Sequence, residues 1–200
     1  MTLAPDFSDQ FINNGYLNIA LGTEFKTFSF LKPQIEFGYV SALLNEEDTR
    51  DENFKINGIS QGKFSAFNIG ITPKWLVYMD KAGWYSINIL PKYTYSQVTG
   101  SNSYTSVQLN GDVDLPYKTE KTAGKLHSFG IGIGICVNHS KRNNDSMAFN
   151  LYFNNIEYGS IYNKIKFLKE EVYTNNMVGL GLVYFFSLKN NIEKGFLEPK

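Results

Sequence analysis

Apolar and polar residues alternate with a period of two along most of this chain. In residues 67–77, Phe67, Ile69, Ile71, Pro73, Trp75 and Val77 interleave with Asn68, Gly70, Thr72, Lys74 and Leu76. Residues 85–96 repeat the scheme, with Tyr85, Ile87, Ile89, Pro91, Tyr93 and Tyr95 set against Ser86, Asn88, Leu90, Lys92, Thr94 and Ser96. Neighbouring side chains of a strand point to opposite faces, so each segment has one oily face and one polar or small face. Strands of ten or so residues written this way are the signature of a transmembrane β-barrel.

The same rhythm predicts strands over 16–26, 31–44, 125–137, from Met147 onward, and 177–188, which makes seven with the two above. A bulge is expected at Asn154-Asn155, where the phase blurs. Short connections are expected at Thr27–Phe30, Met79–Gly83 and Asn138–Ser146, and long polar loops at 45–62, 99–123 and about 164–174. Short turns at one end and long loops at the other are how outer-membrane barrels are arranged, and such barrels have an even number of strands. The eighth strand should precede residue 16, but 3–12 alternate poorly and contain Pro5, so a truncated start that lacks the first strand is expected. The reading is an all-β, antiparallel up-and-down transmembrane barrel of about eight strands over 16–188, with an irregular lead-in at 1–15 and a polar tail at 189–200.

Composition narrows the chemistry. Lys plus Arg and Asp plus Glu both number 19, so the basic surface that nucleic-acid binding requires is not expected. The single Cys136 cannot form an internal disulfide or a multi-cysteine metal site, and it sits in a strand as a small packed thiol. With two histidines and no ligand spacing, neither a metal nor another cofactor is expected. His127-Ser128 would point to opposite faces, and His139-Ser140 falls in a short turn, so no catalytic residue is assigned. The opening residues, Met1 to Asp6, carry no secretory signal, which is expected to be removed or upstream if the chain is exported.

Face assignment gives the candidate site. A small barrel's interior is filled by side chains, and charges inside it must be paired. Glu24 and Glu36 are expected to face Lys74 and Lys92 in a lumenal network that includes Asn68 and Asn88. If Tyr78 sits opposite Trp84, Lys74 falls opposite Asn88. Gly130, Gly132 and Gly134 leave room for bulky lumenal neighbours. Ile69, Ile71, Ile87, Ile89, Ile131, Ile133, Leu180 and Leu182 are expected to face lipid, and Trp75 and Tyr85 to belong to an aromatic girdle at headgroup depth.

The chain resembles the small outer-membrane β-barrel (porin family) proteins of the Bacteroidota. The resemblance rests on Pro33-Gln34-Ile35-Glu36-Phe37-Gly38-Tyr39, Pro73-Lys74-Trp75-Leu76-Val77-Tyr78, Pro91-Lys92-Tyr93-Thr94-Tyr95, Phe129-Gly130-Ile131-Gly132-Ile133-Gly134 and the closing Gly179 to Phe186 run. It implies a non-enzymatic protein of the outer membrane, in contact with its lipid and with the barrel-assembly machinery. Any further partner, from outside the cell or within the envelope, would be met through the outer loops. Two other readings are a soluble lipocalin-like barrel, with the oily face lining a cavity, and a lipid-modifying membrane enzyme.

Overall fold

The computed structural model describes residues 2–4, 16–25, 27–43, 47–50, 56–106, 118–140, 145–165 and 177–185. Its strands are β1 (Thr2–Ala4), β2 (Tyr16–Glu24), β3 (Leu31–Leu43), β4 (Glu47–Arg50), β5 (Ile56–Met79), β6 (Tyr85–Ser106), β7 (Lys118–Ser140), β8 (Asp145–Asn155) and β9 (Met177–Phe185). A single helical turn, α1 (Gly159–Tyr162), lies between β8 and β9. Seven strands pair antiparallel in the order β2–β3–β5–β6–β7–β8–β9. The short β1 joins the two ends of this curled sheet, with Thr2 opposite both Asn18 of β2 and Gly181 of β9. The architecture is all-β and of the up-and-down barrel type.

Thr2–Ala4 thus corrects the expectation of an irregular lead-in over 1–15. A three-residue strand is too short for its alternation to stand out, and its place is set by partners on both sides. The tail at 189–200 and Phe186–Leu188 lie outside the described residues.

Two long loops are also corrected. Glu47–Arg50 and the start of β5 pair with each other inside the expected 45–62 loop. β6 continues to Ser106 and β7 begins at Lys118, within the expected 99–123 loop. These extensions carry polar residues on their outer positions, such as Gln61, Lys63, Thr99 and Lys121. Hydropathy alternation vanishes there while backbone pairing persists, so β4 to β7 rise as a polar tongue beyond the rest of the barrel.

The bulge expected at Asn154-Asn155 is not there: the register runs evenly through both residues to the end of β8. Register shifts occur instead at Thr49/Arg50, Leu76/Tyr78 and Asn138/Ser140. The hairpin closes with Met79 opposite Ser86 and Tyr78 opposite Ile87, not Trp84, and Val77 is an extra residue on β5. The turn that follows is built by Asp80, whose carboxylate accepts from the Ala82 and Tyr85 amides at 3.2 and 2.9 Å. Gly83 completes it at φ +72°, a conformation that glycine adopts without strain.

Register also explains the three strand prolines. Pro33 lies opposite Pro73, and the β5–β6 register (Ile71 with Tyr93, Trp75 with Ile89) places Pro73 opposite Pro91. Leu76 N–H donates to Phe30 O at 2.8 Å, so Phe30/Leu76 is a hydrogen-bonded pair. Counting in alternation, Pro33/Pro73 is a non-bonded pair, which needs no N–H from either. Pro73/Pro91 is then a position for two bonds that neither proline can donate. The ladder breaks there, with no pairing of 72–74 to 90–92. The prolines are confined to one row, where a single seam absorbs their missing donors.

Replacing Pro73 or Pro91 by Val should restore one ladder bond each, raising the unfolding free energy by about 1 kcal/mol. A denaturant series on the single and double variants checks this; unchanged or lower midpoints would count against the seam.

Candidate functional site

The barrel wall has two faces of opposite chemistry. Exposed outward positions include Ile69, Ile71, Ile87, Ile131, Ile133, Leu180 and Leu182, together with Leu21, Phe37, Phe67, Phe129, Phe149, Leu151 and Phe153. Ile89 is half-buried and pairs across the ladder with Trp75. Trp75 and Tyr85 are exposed near the short-turn end, as are Trp84, Tyr184 and Tyr78, whose ring lies 6.0 Å from that of Tyr85. Toward the loop end a second set of rings meets on the outer face: Tyr39 with Phe67 at 5.0 Å and Tyr93 with Phe129 at 5.2 Å. His127 joins this set, its Nδ1 2.6 Å from the Tyr93 hydroxyl.

The inner face has two stories. The lower one is polar and holds the four charges expected there. Glu24 accepts from Lys74 Nζ at 3.0 Å and from Gln34 Nε2 at 2.8 Å, with Lys32 at 4.0 Å. Glu36 accepts from Lys92 Nζ at 2.5 Å. Each pair spans two strand intervals. Glu36 and Lys92 reach each other past Gly70, where a Cβ would lie 3.1 Å from Lys92 Cε and 3.6 Å from a Glu36 oxygen. Lys74 also lies over the Phe185 ring, and Lys92 over that of Tyr152, at 4.5 and 5.2 Å from the centroids.

Asn68 and Asn88 do not join the ion pairs. Asn88 donates to Ser86 at 3.3 Å, and Asn68 lies beside the Tyr158 hydroxyl. Lys74 comes opposite Leu90, two positions from the expected Asn88, because closure of the hairpin at Met79/Ser86 shifts the register by three and the extra Val77 takes back one. Gly130, Gly132 and Gly134 face Asn154, Tyr152 and Asn150, the side chains that use the space they leave. Cys136 is buried inside, between Ser86 and Ala148 on the adjacent strands. His127 is exposed and Ser128 is buried, so they share no surface.

The upper story is apolar and was not visible to face assignment. Inward residues Val40, Ala42, Phe64, Ala66 and Val98 form a buried cluster with Ile156, Tyr158, Ile161, Tyr162 and Ile165. The segment after β8 therefore turns into the barrel mouth as a plug around α1. Ile161 seats on Gly124 and Tyr162 on Gly100, two positions with no side chain to oppose them. The sequence held a signal for it: apolar spacing changes from two at Ile156 and Tyr158 to three and four at Ile161, Tyr162 and Ile165, which is helical periodicity.

Between the stories lies a cavity of about 40 Å³, lined by Asn18, Glu36, Asn68, Lys92, Asn154 and Tyr158 among others. Asn18 Oδ1 and Asn68 Oδ1 are buried there without a protein partner. The size and polarity suit about two or three water molecules. Burial pushes the Tyr158 phenol up to about 12, so it is a neutral hydroxyl at physiological pH. Among the described residues, no group of three His, Cys, Asp or Glu side chains is placed to hold a metal ion. Comparison with family models, with curated proteins and with solved structures finds no match.

Removing one member of an enclosed ion pair leaves an uncompensated charge. Glu24→Gln or Lys74→Met should therefore each destabilise by roughly 3 kcal/mol, and the double substitution by clearly less than the sum. Denaturant unfolding of the four-member cycle measures this, and strictly additive effects would refute coupling. Gly124→Leu, by contrast, should unseat Ile161 and make the plug segment more susceptible to limited proteolysis.

Proposed function

We propose that this chain is a non-enzymatic outer-membrane β-barrel protein of the porin-family type, with a closed lumen and a structural or interaction role exercised through its loop-bearing end. The observation that carries the reading is the polarity of the wall: oily side chains outside, paired charges inside.

The dimensions support it. On β5 the outward apolar run extends from Phe67 to Val77. At about 3.3 Å per residue and a tilt near 40°, that run spans roughly 25 Å along the barrel axis, the height of an outer-membrane apolar band. Trp75 and Tyr85 mark one edge of the band, and Phe67, Tyr95 and Phe129 the other. Water would charge heavily for so much exposed oil, since soluble monomers rarely expose contiguous apolar patches beyond a few hundred Å². A lipocalin-like barrel needs the reverse polarity. Among the described residues no helix is long and apolar enough to cross a membrane, so strands would do the crossing.

The lumen supports a sealed barrel over a conducting one. Two ion pairs, the Tyr152 ring and the plug fill it from floor to mouth. The role of the protein would then lie at its surfaces: lipid around the belt, the assembly machinery during insertion, and envelope or extracellular partners at the tongue of β4 to β7.

The two tryptophans give a direct test. A Trp84→Phe variant keeps only Trp75, on the outer face. In vesicles of brominated phosphatidylcholine its emission should be strongly quenched relative to the unbrominated lipid. The same protein should migrate faster on gels before boiling than after. A chain that stays in buffer without detergent, with unquenched Trp75, would reject the membrane reading.

A further inference from the structure

We propose that the upper edge of β7, from Thr119 to His127, takes up an extended acidic strand of another protein by β-sheet addition. The inference names a partner class for the loop-bearing end, and so rests on the reading above.

Register identifies the edge. Asn138 N–H donates to Trp84 O at 2.7 Å, so Trp84 and Asn138 form a hydrogen-bonded pair. The β6–β7 register runs without a break from Tyr85/Val137 to Tyr104/Lys118. Counted in alternation, even-numbered residues of β7 bond to β6, and odd-numbered ones turn their N–H and C=O the other way. From Phe129 to Val137 those odd-numbered groups meet β8. β8 stops at Asn155, opposite Phe129, because the chain turns inward at Ile156 to become the plug. Above that point β7 continues, and among the described residues no strand lies on this side of it. Thr119, Lys121, Ala123, Lys125 and His127 therefore present a row of backbone donors and acceptors to the space that β8 vacates. Such an edge is a template for a further strand.

Side chains select the strand. The same five odd-numbered residues are exposed on the outer face. Lys121 and Lys125 carry the charge of that row, and it holds no carboxylate. Residues opposite them on an added antiparallel strand would share their face, so acidic residues there would pair with both lysines. A second copy of β7 is a poor occupant, because antiparallel pairing about Ala123 would set Lys121 against Lys125, like charge against like. The inner side of the edge is apolar: Leu126 packs against the plug cluster, and Ile161 covers Gly124. The strand that fits is amphipathic, acidic outside and apolar inside, and its backbone completes the ladder.

The test uses the full chain in phosphatidylcholine nanodiscs and a labelled peptide of alternating valine and glutamate, with binding read by fluorescence anisotropy. The peptide should bind, and a valine–lysine counterpart should bind about tenfold more weakly. Lys121→Glu/Lys125→Glu should reverse that preference. Ala123→Pro removes an edge N–H that β6 does not use, so it should weaken the peptide about tenfold and leave the denaturant midpoint unchanged. N-methylation of the glutamate amides, those set to meet the edge, should weaken binding likewise with the protein untouched. Normal incorporation with no binding would overturn this site while leaving the membrane reading intact. So would binding indifferent to N-methylation and to the charge reversal. Slow hydrogen exchange at Lys121, Ala123 and Lys125 before any peptide is added would also overturn it, by showing residues 166–176 or a second copy already on the edge. Failure of the wild type to incorporate at all would overturn both.

Discussion

An eight-position ring of strands leaves an interior too narrow for bulk water, so whatever charge enters must find its counter-charge there. Glu24 with Lys74, and Glu36 with Lys92, meet that requirement across strands that are not neighbours. The two pairs tie β2 to β5 and β3 to β6, and so brace the wall from within. Gly70 is part of the same device, because a side chain there would crowd both Glu36 and Lys92. Once the polar face is committed to this network, every alternate residue is committed to the outside, and the oily belt follows from the pleat.

The belt was legible in the sequence because its period is two and its residues are large. Ile69, Ile87 and Ile131 each alternate with Asn, Ser or Gly, and a strand with one oily face is written that way. The ion pairs were legible for a related reason: few charges interrupt the polar face of the strands, and they are balanced in sign. Other features were hidden. β1 has too few residues to show a period. The tongue has polar residues on both faces, so its strands resemble loops in hydropathy. The register of the β5–β6 hairpin depends on where its turn closes, at Met79/Ser86, and on one extra residue, Val77, that looks like any other member of the alternation.

The plug illustrates a different limit. Ile156, Tyr158, Ile161, Tyr162 and Ile165 follow a strand and precede a charged stretch, where a connecting loop is the simplest reading. Only the inward Val40, Phe64 and Val98 show what they are for, and those residues look ordinary one strand at a time. The proline row is similar. Each proline alone is an anomaly within a strand; aligned across β3, β5 and β6 they share one break in the ladder. Both features depend on contacts between distant segments, which local patterns do not encode. Together they divide the barrel into a charged floor, an apolar stopper and a seam, and they leave the loop-end exterior as the surface with chemistry to spare.

The central claim is that hydrocarbon touches the odd-numbered face of β5 and that packed protein lies behind the even-numbered one. A nitroxide scan from Phe67 to Val77 in proteoliposomes, in a Cys136→Ser background, tests it most directly. The account predicts collision with dissolved oxygen that rises at 69, 71 and 75 and falls at 68, 70, 72 and 74, with little access for a water-soluble nickel reagent across the middle of the run. Odd positions that meet the nickel reagent, or a profile with no two-residue period, would contradict it.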